Sequence, residues 1–79
     1  MASLQLYTAS FFVEGFAGRQ LSTFTTLRKK TEFINFMEDN GAVLFGEWHK
    51  FTDHAKFLLA TRKTRELGGI CYDLPVNTR

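Results

Sequence analysis

The chain is poor in the residues that build cross-links, breaks and membrane spans. It has one cysteine, Cys71, and one proline, Pro75, in 79 residues. A lone cysteine excludes an internal disulfide framework and a cysteine-based zinc cage. It also fits a reducing compartment, so a cytoplasmic location is expected. Cys71 lies between Ile70 and Tyr72 and reads as a buried structural thiol. No run approaches the roughly 18–20 apolar residues that a membrane-spanning helix requires. The N-terminus, Met1 to Thr8, has no basic segment before its apolar positions and does not read as a secretory leader. Repeats, low-complexity segments and linkers are absent, so a single domain over 1–79 is expected, with 75–79 as a frayed tail.

The aliphatic β-branched residues are also few, two Ile and three Val, whereas nine Phe, two Tyr and one Trp are present. Rings bury much area per residue, which suits a short chain with a small core, and they form interfaces when left exposed. Apolar residues make up 44% and charged residues 23% of the chain, a globular balance that argues against disorder.

Net charge is only +2. The charges are unevenly distributed, however. Residues 1–27 carry Glu14 and Arg19 alone. Arg28-Lys29-Lys30 then places three cations in a row, and Lys50, Lys56, Arg62, Lys63 and Arg65 face one acid, Asp53, between residues 50 and 65.

Local patterns predict the elements. Leu4 to Val13 alternates as a strand, with Tyr7, Ala9, Phe11 and Val13 on one face and Leu4, Leu6, Thr8, Ser10 and Phe12 on the other. Glu14 to Arg19 supplies a glycine-containing turn, and Thr-rich Gln20 to Leu27 reads as the returning strand of an antiparallel hairpin. A helix follows near 31–40. Thr31 is its expected cap, Phe33, Ile34, Phe36 and Met37 form its apolar stripe, and Asn40-Gly41 stops it. Cations oppose the dipole in a first turn, so Arg28-Lys29-Lys30 are placed before this helix. Ala42 to Phe51 reads as one strand with Gly46 as a bulge or close contact. Residues 53–67 are ambiguous. Their composition favours a helix capped by Thr52 or Asp53 and stopped by Gly68-Gly69. Their apolar residues do not gather on one helical face, and Phe57-Leu58-Leu59-Ala60 reads as a buried strand, which is the preferred assignment. Ile70 to Leu74 is a short final strand. The expected class is α+β, a mainly antiparallel sheet in the order ββαββ, or ββαβαβ, with the helix near 31–40 packed on one face.

Candidate chemistry is sparse. Glu47, His49, Asp53 and His54 fall within eight residues, but their spacing matches no strong metal motif, and surface or hairpin histidines are the simpler reading. Ser10 or Ser22 with a His and Asp53 or Asp73 is a triad by residue type only, with no nucleophile elbow. Gly15-Phe16-Ala17-Gly18 has the G-x-x-G spacing of KH loops, yet its flanks read as strands rather than helices. No catalytic residue, cofactor site or metal site is assigned, and an enzyme is not expected in so short a chain.

The expected function is therefore that of a small, non-enzymatic regulatory protein acting on a protein partner through a surface, with homodimerisation as its simplest version. Small phage or plasmid proteins that inhibit host factors fit this size and composition. The alternative is nucleic-acid binding through the segments 28–30 and 50–65, with Trp48 or Phe51 stacking beside them. The candidate partner-binding residues are Arg28, Lys29, Lys30, Trp48, Lys50, Lys56, Arg62, Lys63 and Arg65. Membrane association is not expected.

Overall fold

The computed structural model describes residues 5–15 and 18–74. The order is β1 (Tyr7–Val13), β2 (Arg19–Phe24), α1 (Leu27–Asp39), β3 (Val43–Phe45), β4 (Trp48–Phe51), α2 (His54–Glu66) and β5 (Ile70–Leu74). The strands form one sheet in the order β3-β4-β1-β2-β5. All neighbours are antiparallel except β1 and β4, which run parallel with Phe11 opposite His49 and Phe12 opposite Lys50. Both helices pack on the same side of this sheet.

The α+β class and the β1–β2 hairpin match the expectation from sequence. The chain order, ββαββαβ, differs from the preferred order ββαββ in two places and from the alternative ββαβαβ in the first of them. First, Ala42 to Phe51 is a hairpin and not one strand. Gly46 has a φ of +65°, which supplies the first central position of a two-residue turn between Phe45 and Trp48. Second, residues 54–66 form a helix where a strand was preferred. Asp53 caps it, its Oδ1 accepting from the Ala55 N–H at 2.9 Å, and Gly68, at a φ of +78°, closes it with Gly69 N–H donating to the Thr64 carbonyl. Its buried stripe is Phe57, Ala60 and Thr64. A threonine completes the face, and Leu58 is left 51% exposed, so counting apolar residues alone misses the helical period.

The first helix also begins earlier than expected. Thr26, not Thr31, is the cap, its Oγ1 accepting from the Lys29 N–H at 3.2 Å. Arg28, Lys29 and Lys30 therefore lie inside the first turn. Each such charge opposes the dipole by about 0.3–1 kcal/mol at an exposed site. A good cap offsets about 1 kcal/mol of that, and burial of Phe33 and Met37 outweighs the rest. The end of α1 is as expected: Gly41 has a φ of +95°, and Ala42 N–H donates to the Met37 carbonyl at 2.9 Å.

The core lies between the helices and one face of the sheet. Phe11 is wholly buried and meets Phe33, Phe51 and Phe57 at centroid distances of 5.6, 6.1 and 5.4 Å. Phe24 packs on Phe33 at 5.3 Å, so five phenylalanines form one connected cluster. A polar seam borders it. Ser22 Oγ and Thr64 Oγ1 are 2.8 Å apart and both buried, and Thr64 also donates to the Ala60 carbonyl. Ser22 reaches the Cys71 sulfur, and the Cys71 thiol donates to Gln20 Oε1 at 2.9 Å. This seam ties β2, α2 and β5 together. Cys71 is half-buried rather than buried, and desolvation raises its pKa above the usual thiol value. The Ser22 hydrogen bond lowers it, Asp73 raises it and Arg65 lowers it, each by less.

Candidate functional site

Strand alternation sends every second side chain to the face that no helix covers. The registers place these side chains in rows across the strands. One row holds Val43, Lys50, Phe12 and Arg19, from β3, β4, β1 and β2. The next holds Phe45, Trp48, Ser10, Leu21 and Tyr72, across all five strands. A third holds Thr8, Thr23 and Ile70. These rows contain five large apolar residues besides Phe12 and Trp48, and no carboxylate.

The rings on this face contact one another and carry cations. Phe12 meets Phe45 at 6.2 Å and Trp48 at 6.4 Å, both edge to face. The Arg19 guanidinium sits 5.0 Å from the Trp48 ring and 5.6 Å from Phe12. Lys50 Nζ is 5.2 Å from the Phe45 ring and 3.6 Å from Glu14 at the rim. Each exposed cation–π contact stabilises by about 0.5–1 kcal/mol, enough to hold a long side chain against the rings. Of the apolar side chains on this face, Val43 and Phe45 are each 61% exposed, Ile70 57% and Tyr72 48%. A continuous apolar surface of this kind marks an interaction site.

The candidate partner-binding residues fall into two groups. Trp48 and Lys50 lie on the open sheet face. Arg28, Lys29 and Lys30 start α1, Lys56 starts α2, and Arg62, Lys63 and Arg65 end α2, so these seven belong to the helical layer on the other side. Phe51 is in the core and stacks on nothing external. Sequence reasoning did not single out Phe12, Arg19, Leu21, Phe45 and Tyr72 as a site. Phe12 was visible as the off-face residue of β1, but its row-mates come from strands whose pairing only the fold specifies.

The remaining candidates do not converge. His49 is buried and its Nε2 is 2.9 Å from Glu38 Oε2, which joins β4 to the end of α1. His54 is exposed and stacks on Phe57. Among the described residues no three His, Cys, Asp or Glu side chains gather at a metal-sized site. Ser22 is committed to the buried seam. A shallow groove runs along Leu27, Thr31 and Asn35 on the outer side of α1. No described helix is long and apolar enough to cross a membrane. Comparison with protein-family models, curated proteins and solved structures finds no match to this chain.

Proposed function

We propose that the protein is a small, non-enzymatic binding protein that regulates a protein partner by docking it on the open face of the sheet. The observation that carries this reading is the uncovered row of Phe45, Trp48, Leu21 and Tyr72 beside the row of Lys50, Phe12 and Arg19. Trp, Tyr and Arg are the residues that dominate binding energy when desolvated at an interface centre. Five strands about 4.8 Å apart give a face roughly 25 Å wide.

Charge selects the occupant. The rows hold two cations and no carboxylate, and the nearest acid, Glu14, sits at the rim beside Lys50, so a second copy packed face to face would bring four cations together against only two rim carboxylates. Such like-charge juxtaposition disfavours self-association through this face. A protein surface with an apolar centre and flanking carboxylates fits it, the acids meeting Arg19 and Lys50. Inhibition of a host factor by a phage or plasmid protein is one setting that uses such a device.

Affinity capture from the native cells after nuclease treatment tests this proposal with three baits: the wild-type protein, Trp48→Ala/Arg19→Glu, and Lys29→Gln/Lys30→Gln. The expected result is a protein held by the first and third baits and lost from the second. The reading fails if no captured protein depends on Trp48 and Arg19, or if sedimentation shows a wild-type dimer that the Trp48→Ala/Arg19→Glu change dissolves.

A further inference from the structure

The helical layer carries a second surface, unrelated to the open sheet face. The two helices run antiparallel. Lys63 Nζ lies 5.3 Å from the Phe36 ring, and Lys29 Nζ lies 3.6 Å from where a Cβ on Gly68 would sit. The start of α1 is thus beside the end of α2. This juxtaposition brings Arg28, Lys29 and Lys30 to the same end of the molecule as Arg62, Lys63 and Arg65, across more than thirty residues of sequence.

The charge at this end is concentrated well beyond the total. Those six cations, set against Glu32 and Glu66, give a local net charge of +4 in a chain whose whole net charge is +2, so the rest of the sequence is at −2. Among the described residues only Lys63 of the six has a carboxylate partner, Glu66 at 3.8 Å. Three of the cations occupy the first turn of α1, where the helix dipole is already positive and no acidic residue balances them. The negative end of α2 lies beside that turn and offsets part of this cost, with Lys29 against Gly68 and Lys63 and Arg65 in the last turn of α2, so what this end offers a polyanion is the clustered charge rather than a dipole.

We propose that this end of the helix pair binds the sugar–phosphate backbone of a nucleic-acid duplex. Adjacent helices pack about 8–10 Å apart, so cations from the two of them lie within reach of phosphates on one strand. A duplex carries one charge per roughly 1.7 Å of axis, a density that a cluster of this size neutralises by counterion release. The rings that would stack on unpaired bases, Phe12, Phe45 and Trp48, lie on the far side of the sheet. The contact is therefore with the backbone and is independent of base sequence.

Fluorescence anisotropy with a labelled 20-base-pair DNA duplex, a 20-nucleotide single strand and, by co-sedimentation, vesicles containing phosphatidylserine tests this inference. Duplex binding is expected, with log K falling against log salt at a slope of about −3 to −5, as four or five neutralised phosphates require. Lys29→Gln/Lys30→Gln/Arg65→Gln lowers duplex affinity at least tenfold, and Lys50→Gln leaves it unchanged. In the triple variant Lys29 and Lys30 leave the first turn of α1, where they oppose its dipole, and Arg65 leaves the last turn of α2, where it favours its own, so the melting temperature is expected to stay close to that of the wild type, which separates lost binding from lost folding. The inference is overturned by no duplex binding at 50 mM salt, by duplex affinity indifferent to the triple change, by single-strand binding that exceeds duplex binding and is lost in Trp48→Ala, or by vesicle binding without duplex binding. Apart from single-strand binding through Trp48, which would involve the open sheet face, these outcomes leave capture of a protein by that face untouched.

Discussion

The two faces of the sheet are made from alternate residues of the same strands, yet they meet different surroundings. Along β1, Ala9, Phe11 and Val13 are 4%, 0% and 2% exposed, while Thr8, Ser10 and Phe12 between them face away from the helices. The covered face is built of phenylalanines locked edge to face with a buried hydroxyl pair at its border. The open face has rings of the same kind, but these contact cations and solvent. Rings of the same kind thus build the core on one side and, in the proposed reading, a docking surface on the other. What separates them is which face the two helices cover.

The largest test of this contrast substitutes neighbouring residues. Phe11→Ala is expected to cost about 3–5 kcal/mol, because the cavity it leaves is lined by three rings that cannot all collapse inward. Phe12→Ala should cost about 1 kcal/mol or less. Urea unfolding of the two variants would break the comparison if the costs were equal. Gly69→Ala comes next, at about 1–3 kcal/mol. A Cβ there would sit 2.6 Å from the Phe24 ring and from the Thr23 carbonyl oxygen, on the covered side where neither neighbour can yield freely. A loss below about 0.5 kcal/mol, the scale of an ordinary surface substitution, would mean that the covered side is looser than described.

Smaller effects sharpen the picture. Ser22→Ala removes one partner of the buried hydroxyl pair and should cost about 1 kcal/mol, since Thr64 retains the Ala60 carbonyl. Combined with Thr64→Val in a double-mutant cycle, its cost should be less than additive. The Cys71 thiol gives a pH signature. Burial raises its folded-state pKa above the unfolded value, so folding favours the protonated thiol. The resulting stability is complete below the unfolded pKa and is lost as pH rises through the folded one. Thiol-modification rates should therefore stay low at neutral pH and climb at a higher pH than in the urea-unfolded chain; coincident profiles would contradict the half-buried placement. Smallest of all, Arg19→Ala should change stability by about 0.5 kcal/mol, the scale of an exposed cation–π contact, while weakening partner capture. A larger loss of stability would make Arg19 a structural residue.

The covered half of β1 was legible from the amino acids alone, because the period of two at Tyr7, Ala9, Phe11 and Val13 is a local property of the chain. The stop of α1 at Asn40-Gly41 was legible for the same reason. Residues 28–30 were displaced by one rule, the dipole preference, which is weaker than a threonine cap combined with a buried stripe. Residues 54–66 were misread because Thr64 fills a core position and Leu58 does not. The candidate site was hardly legible at all. Only Trp48 and Lys50 stood out, and their neighbours Phe12, Arg19 and Phe45 enter through the parallel pairing of β4 with β1 and the tight turn at Gly46.

By itself, the amino-acid sequence determined the class of object: a small α+β domain with a ring-built core, one cysteine and cations gathered in two segments. Those are consequences of composition and of spacings of two to four residues, which act within a strand or a helical turn. Tertiary structure decided which face of the sheet stays uncovered, and that residues 28–30 meet residues 62–65. Both depend on contacts between residues distant in the chain, where packing of whole elements outweighs local preference.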